Sequence, residues 1–291
     1  MRLGLLDTVL FGRYGAWWTT LLENIGVEVA LPKASFAESL QLGQRAMPNE
    51  PVTMQLMVGR VLELATDVEG LLIPDVNPGA EPGTRGAALE PWLVDLPTML
   101  AQRYSLPTIY KIPPRLEPNE TAGYAVRLGQ SLTGNAQLVR RALDRLQASL
   151  KPSPIPEPLW TKAGMQTVGV VADVLLLEQP YLMQDTLTSL EQAGLHTILL
   201  STMPRVRAVE EGKRINPYLL EIDHEMIGAA KMLAQKAAVR GLVFITQPYA
   251  TAQSKLLGRS AHNTKKPTVM LEWGNIETAR LEKFMLELAP K

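Results

Sequence analysis

The chain contains no cysteine, so it cannot form a disulfide, a thiolate nucleophile or a cysteine-ligated iron–sulfur cluster. It also lacks an excess of charge, because 29 Lys and Arg residues balance 29 Asp and Glu residues. Without a global field to attract them, neither nucleic acid nor an anionic membrane is expected as a partner. No apolar run approaches the roughly 20 residues that span a bilayer.

The amino terminus lacks the features of a signal peptide. Its opening stretch, MRLGLLDTVLFGRYG, carries Asp7 inside the apolar run and has no Ala-x-Ala-like cleavage site. We therefore expect a first strand here and a cytoplasmic protein. With 291 residues, 46% of them hydrophobic and 20% charged, the chain is long enough and apolar enough for two folded domains.

Short apolar runs alternate with amphipathic helical patterns, which is typical of parallel-sheet α/β domains. The predicted strands are residues 3–10, 27–31, 70–76 and 108–112 in the first half, and 167–176, 195–201, 241–246 and 268–272 in the second. The predicted helices cover 14–25, parts of 35–67, 88–104 and 120–150, then 180–193, 217–238, 250–263 and 276–288. Glycine at positions 26 and 194 is expected to end two of these helices.

The two halves share local sequence as well as element order. LLENIGVEVAL at residues 21–31 resembles SLEQAGLHTIL at 189–199, and VEGLLIPDV at 68–76 resembles VRGLVFITQ at 239–247. Internal duplication is the favoured interpretation. The alternative is that similar residues bound the βα units of both halves by convergence, without a common origin. We expect two similar open sheets, Rossmann-like or flavodoxin-like, in domains at 1–116 and 164–291. A helical and proline-rich linker, 117–163, would join them.

Ligands of open α/β sheets bind at the carboxyl ends of the strands, so the predicted site is a cleft between these ends of the two domains. The polar residues expected there are Asp7, Asp75, Asn77, Gln247, Tyr249 and Glu272. Among these, Asp75 and Glu272 are favoured, because a carboxylate beside an apolar sheet needs a partner and a ligand can supply it.

Other motifs give weaker signals. The segment Gly12–Gly15 after the first strand lacks dinucleotide-loop spacing and predicts a plain βα turn, in which Arg13 could still meet a small anion. The run Asp223–Glu225 cannot place three ligands on one metal and predicts an exposed polar helix face. Of Trp17 and Trp18, one is expected in the core and the other at the surface.

A set of landmarks with characteristic spacing extends over nearly the whole chain. It comprises Gly4-Leu5-Leu6-Asp7, Trp17-Trp18, Ile25-Gly26, Glu50-Pro51, Gly59-Arg60, Glu90-Pro91 with Pro97, the loop 247–252, and Thr278–Phe284. In these landmarks the chain resembles the D-component of 2-hydroxyacyl-CoA dehydratases and the dehydratase-activase-related proteins. The resemblance implies a two-domain α/β scaffold.

In active members of that family, a cysteine-ligated cluster in the cleft passes an electron to a thioester-activated substrate. Here the corresponding positions hold Pro51, Glu90 and Tyr249, none of which offers a thiolate. The resemblance therefore implies a cluster-free member, for which no cofactor is expected. It adds Glu50 and Glu90 to the candidate ligand-binding residues.

Three functional hypotheses follow from this combination. The leading one is a cluster-free, non-redox protein that binds a small ligand in the inter-domain cleft, or supports a cluster-bearing relative as a non-catalytic subunit of a homo- or hetero-oligomer. The alternative is an enzyme of changed chemistry that uses Asp7, Asp75 and Glu272 for acid–base catalysis. The third is a two-lobed sensor similar to solute-binding proteins.

Overall fold

A computed structural model describes residues 1–76, 95–114, 118–146 and 157–289, with the backbone alone at 118–120. These residues form two compact units. Unit 1 holds the described residues up to 146, and unit 2 holds residues 157–289. The α/β class predicted from the alternating pattern is confirmed. The inter-domain cleft and the domain limits around the 117–163 linker stay predictions.

Unit 1 begins with a strand, and three later strands join the same sheet. Its described elements are β1 (Arg2–Leu5), α1 (Phe11–Asn24), β2 (Glu28–Ala30), α2 (Phe36–Ala46), α3 (Val52–Ala65), β3 (Gly70–Pro74), α4 (Leu96–Arg103), β4 (Thr108–Ile112), α5 (Pro118–Thr133) and α6 (Ala136–Leu146). Gly26 follows the end of α1 at φ 80°, which confirms the predicted glycine stop. Ser35 and Glu38 form a capping box that starts α2.

Unit 2 has the same sequence of strands. Its described elements are β5 (Gln166–Ala172), α7 (Val174–Leu177), α8 (Pro180–Gln192), β6 (Leu195–Leu199), a 3-10 turn (Leu200–Thr202), α9 (Arg205–Ile215), α10 (Glu221–Gln235), β7 (Gly241–Thr246), α11 (Thr251–His262), β8 (Thr268–Glu272) and α12 (Thr278–Leu288). Gly194 follows α8 at φ 82°, as predicted.

Each unit contains one four-stranded parallel sheet, and the two sheets have the same strand order. Sheet A runs β2-β1-β3-β4, and sheet B runs β6-β5-β7-β8. The registers match as well, because Leu3 pairs with Gly70 in sheet A and Val168 pairs with Gly241 in sheet B. The apolar residues of β3 and most of β7 are buried, as expected for parallel strands covered on both faces.

In each unit two helices cross with their backbones in contact, α2 with α3 and α9 with α10. A Cβ atom placed on Gly59 would overlap the carbonyl oxygen of Ser39, and one placed on Gly228 would overlap that of Ala208. Only glycine fits at these two positions, because a methyl group has no space against the facing backbone. Gly59 and Gly228 occupy the same place in their helix pairs.

A buried polar side chain accompanies each crossing. Gln55 of α3 donates through Nε2 to the carbonyl of Met47, which caps α2, at 3.0 Å. His224 of α10 bonds through Nε2 to the carbonyl of Asn216, which caps α9, at 2.7 Å. Since strand order, glycine crossing and cap all recur, we interpret the two units as an internal duplication.

The ring of His224 can be assigned a protonation state from these contacts. A carbonyl only accepts, so Nε2 carries the proton, and buried Nδ1 has no hydrogen-bond partner among the described residues. Burial lowers the pKa of His224 below its ordinary value of 6.5. The unfolded chain therefore binds this proton more readily than the folded one, and acid favours unfolding.

We expect His224→Gln to remove part of the acid sensitivity of unit 2. Glutamine at this position can reproduce the hydrogen bond that Gln55 makes in unit 1. The free energy of unfolding of the natural chain should therefore fall, relative to the variant, as the pH drops below about 6.5. Urea unfolding at several pH values measures the difference. His262→Gln, at an exposed residue, is the control, and equal pH profiles for the natural chain and His224→Gln would refute the prediction.

Two predictions about exposed residues are wrong. The run Asp223–Glu225 is buried, with His224 only 3% exposed, because α10 is covered by both α9 and sheet B. Glu225 tolerates this because Arg205 lies 3.1 Å from its carboxylate. Trp17 and Trp18 are both buried, because α1 packs against α6 as well as against β2.

Several predictions of local structure also need correction. The strand predicted at 167–176 ends at Ala172, and Val174–Leu177 forms the helix α7. β1 ends at Leu5, and Val9 and Leu10 then adopt positive φ values before α1 begins. Gly12–Gly15 therefore lies within α1 rather than in a βα turn. The helix α9 was not predicted, because it buries few residues and its sequence is mostly charged. Among the described residues no helix has both the length and the apolar character needed to cross a membrane.

Candidate functional site

The strand order defines one switch point in each sheet. In sheet A the chain runs from β1 to β2 on one side and from β3 to β4 on the other, so the switch point lies between β1 and β3. In sheet B it lies between β5 and β7. Loops that leave the carboxyl ends of such central strands diverge and open a crevice, where α/β sheets commonly bind ligands.

At the carboxyl edge of sheet B, three of the predicted residues meet in one pocket. Gln247 directly follows β7, Tyr249 lies two residues further on, and Glu272 ends β8. They line an open cavity of about 380 Å³. The first two turns of α11 complete the wall with Thr251, Ser254 and Lys255. We call this cavity the edge pocket.

Tyr249 has an unusual backbone within the edge pocket. Its φ is 65°, a left-handed conformation that non-glycine residues seldom adopt. Its side chain is 59% exposed, although tyrosine has a large apolar ring. Residues held in such conformations are common where a side chain is presented to a ligand. Glu272 is exposed at the other side of the pocket.

Asp173 contacts the edge pocket through Gln247, and it was not predicted from the sequence. It follows β5, is 4% exposed, and accepts a hydrogen bond from the backbone N–H of Leu175 at 2.9 Å. Gln247 donates to its other oxygen through Nε2 at 3.0 Å, and the side chain of Gln253 also bonds to it. Burial raises the pKa of Asp173, and these donors oppose that shift. Asp173 thereby fixes the orientation of Gln247.

At the carboxyl edge of sheet A, Asp7 lies beside a buried cation. Oδ1 of Asp7 is 3.3 Å from Nε of Arg60, although the two atoms are not aligned as a hydrogen bond. Burial raises the pKa of Asp7, and the positive charge of Arg60 opposes this rise. Asp75 follows the neighbouring strand β3, and its N–H donates to the carbonyl of Ile112 at 2.9 Å.

Arg60 is also the centre of a larger set of contacts, which the sequence analysis missed. Its Nη1 donates to the carbonyl of Ala34 at 2.6 Å and lies 3.5 Å from Glu63. The guanidinium lies over the ring of Phe36, 4.1 Å from its centre. Glu63 in turn accepts from the N–H of Ala34 at 2.7 Å. These contacts hold the connection between β2 and α2 against α3.

The remaining predicted residues do not join either group of contacts. Arg13 lies in the first turn of α1, and Glu50 lies just before α3. Both are partly exposed. Asn77 and Glu90 lie outside the described residues. Within the described part of the chain, no group of three histidine, cysteine or acidic residues could hold a metal ion.

Comparison with known proteins adds little to this geometry. No family model matches the chain, and no curated protein matches it. Among solved structures, the chain resembles Ca. Korarchaeum cryptofilum dinucleotide forming acetyl-coenzyme A synthetase 1 in complex with phosphate and ADP, with 14% sequence identity and a TM-score of 0.21. The match covers 98% of this chain but 59% of that one, so this chain spans well under two thirds of its length. A likeness this weak carries no argument about function.

Proposed function

We propose that the chain binds a small polar ligand in the edge pocket and performs no iron–sulfur redox chemistry itself. One observation carries the proposal: Gln247, Tyr249 and Glu272, which the sequence pattern predicts separately, line the same cavity at the carboxyl edge of sheet B, where β7 and β8 end. Asp173 adds support, because a buried residue that orients Gln247 preorganises the pocket.

The side chains of the edge pocket indicate the chemistry of the ligand. Lys255 can pair with an acidic group, while Glu272 can accept from a hydroxyl or an amine. Thr251 and Ser254 offer hydroxyl groups, and the ring of Tyr249 offers an apolar surface. A small molecule that carries both an acidic group and a hydroxyl or amine fits this combination best.

The family resemblance extends the proposal to a cluster-free dehydratase-like protein, which would bind the ligand or support a cluster-bearing relative as a non-catalytic subunit. The absence of cysteine supports it, because the family holds its clusters through thiolates. Protein purified without oxygen should contain neither iron nor sulfide. Stoichiometric amounts of both would end this part of the proposal.

The ligand-binding proposal predicts stabilisation by compounds of the matching class. Malate, lactate, serine and glycerophosphate form a suitable panel, measured by thermal unfolding. A ligand at about 100 times its Kd stabilises the folded state by about 2.7 kcal/mol, so one that fits should raise the Tm clearly. Glu272→Gln and Tyr249→Ala should abolish the effect. Glu282→Gln, which removes an exposed carboxylate from α12, is the matched control.

The same experiment can contradict the proposal. If no compound raises the Tm and native mass spectrometry of the purified chain shows bare polypeptide, the edge pocket is not a ligand site. If a compound stabilises the natural chain and Glu272→Gln equally, the ligand binds elsewhere.

Acid–base catalysis by Asp7, Asp75 and Glu272 is the second candidate function. The observation that favours it is the raised pKa of Asp7, because a carboxyl group with a raised pKa keeps its proton to a higher pH and is a better general acid than an ordinary aspartate. Asp7 and Asp75 follow neighbouring strands at one edge of sheet A. Conversion of a panel compound, followed by NMR and abolished by Asp7→Asn, would favour this candidate over simple binding.

A further inference from the structure

Unit 2 contains a second cavity, between α10 and α11, which the proposed function does not use. Its volume is about 630 Å³, within the range of small-molecule sites. Lys265 and Lys266 of its lining lie just before β8, and Gln235 lies at the end of α10, before β7. The cavity is therefore at the amino edge of sheet B. The edge pocket is at the carboxyl edge, about 15–20 Å away at about 3.3 Å per residue.

The walls of this amino-edge cavity include apolar side chains. It is lined by Ile227 and Ala234 of α10 and by Leu256 of α11. Ile227 is only 3% exposed. Ile215 lies at the rim and is 49% exposed. An apolar surface of this kind is favourably covered by an apolar ligand.

The charged residues of the lining are all cations, although the chain as a whole is neutral. Two of the four cations already have partners. Lys231 lies 2.8 Å from Glu211, and Lys266 donates to the backbone carbonyls of Lys236, at 2.5 Å, and Val239. Lys266 therefore satisfies the carbonyl groups at the end of α10 and in the turn that follows.

The other two cations have no such partner. Arg259 and Lys265 are exposed, and neither side chain has an ion-pair partner in the described parts of the chain. Arg259 lies in the last turn of α11, where a cation stabilises the helix dipole without any ligand. That role explains a cation at this position, but it does not explain an apolar cavity beside it.

Cations over an apolar wall complement a particular class of molecule. We infer that the amino-edge cavity binds an amphipathic organic anion, with an apolar body against Ile215, Ile227 and Leu256 and a carboxylate or phosphate group held by Arg259 and Lys265. Ser260, Asn263 and Thr264 supply further polar groups at the mouth. The inference does not depend on the edge pocket.

The test uses octanoate, octyl phosphate, octanol and inorganic phosphate as probes, titrated into the full chain by calorimetry. Octanoate or octyl phosphate should bind saturably, and the better of the two identifies the preferred anionic group. The double variant Arg259→Gln/Lys265→Gln should weaken binding by about tenfold or more, because each charge-assisted hydrogen bond is lost. Ile215→Ser should also weaken it. Lys283→Gln, an exposed cation on α12, is the control.

Several results would overturn the inference. Octanol that binds as well as octanoate would remove the role of the anion, and inorganic phosphate that binds as well as octyl phosphate would remove the role of the apolar wall. Full affinity in the double variant, or no binding of either amphipathic probe, would do the same. Lys255→Gln separates the two proposals: loss of octanoate binding in this variant would place the anion in the edge pocket instead.

Discussion

Gly228→Ala is expected to destabilise unit 2 by about 3 kcal/mol, at the upper end of what overpacking costs. The added methyl group would overlap the carbonyl oxygen of Ala208 on α9. Backbone atoms inside a helix cannot rotate away as a flexible side chain could, so the two helices must separate. Separation also disturbs the contact between Gly212 and the backbone of His224.

Urea unfolding gives the size of this effect, and hydrogen–deuterium exchange locates it in α9 and α10. Gly258→Ala is the matched control, because this glycine lies within α11 and an added Cβ would meet only Met270, at 3.8 Å. Alanine should stabilise α11 there by about 1 kcal/mol through helix propensity. If Gly228→Ala changes stability no more than its control, the helices do not cross with their backbones in contact.

The strands were predictable because buried parallel strands leave a strong local signal. Gly241–Thr246 is such a buried apolar run and was predicted with its observed limits. The less buried edge strands Thr108–Ile112 and Thr268–Glu272 were also predicted with their observed limits, because turn residues bound each of them. The helix α9 was not, because only Ala208, Val209 and Gly212 of its residues are buried. Its position depends on a backbone contact with α10, which hydrophobic periodicity does not reveal.

The candidate site was predictable only where strand position alone determines it. Gln247 and Glu272 lie at strand ends, so the sequence placed them at the correct edge of sheet B. Asp173 was hidden inside a predicted strand that extended too far. Its bond with Gln247 joins residues 74 positions apart, and no local pattern reports such a contact.

The two units share the residues of the helix crossing but differ in the polar residues at their carboxyl edges. Gly59 and Gly228 have the same role, but the residue after each is different, Arg60 in unit 1 and Ala229 in unit 2. The sheet registers likewise place Asp173 where unit 1 has Thr8. The helix crossing therefore recurs while the polar residues at the carboxyl edges do not, which favours different roles for the two edges.

Arg60→Met is expected to destabilise unit 1 by about 3 kcal/mol, because it leaves two carboxylates near a buried site without their cation. Methionine keeps most of the apolar length over Phe36, so the loss reports the charge and its hydrogen bonds rather than a cavity. Arg45→Met, at an exposed arginine of α2, is the matched control and should change the free energy of unfolding by less than about 0.5 kcal/mol.

The pH dependence of this loss identifies Asp7 as the group involved. Burial already raises the pKa of Asp7 in the folded chain, and removing Arg60 should raise it further. A raised folded pKa means that the folded state binds the proton more tightly, so its penalty at neutral pH is relieved as the pH falls. The difference in unfolding free energy between the natural chain and Arg60→Met should thus shrink as the pH falls from neutral toward the ordinary pKa of an aspartate. Asp7→Asn in the Arg60→Met background should remove most of that pH dependence. If the difference in unfolding free energy instead stays constant with pH, Arg60 stabilises unit 1 through its contacts with Ala34 and Phe36 alone.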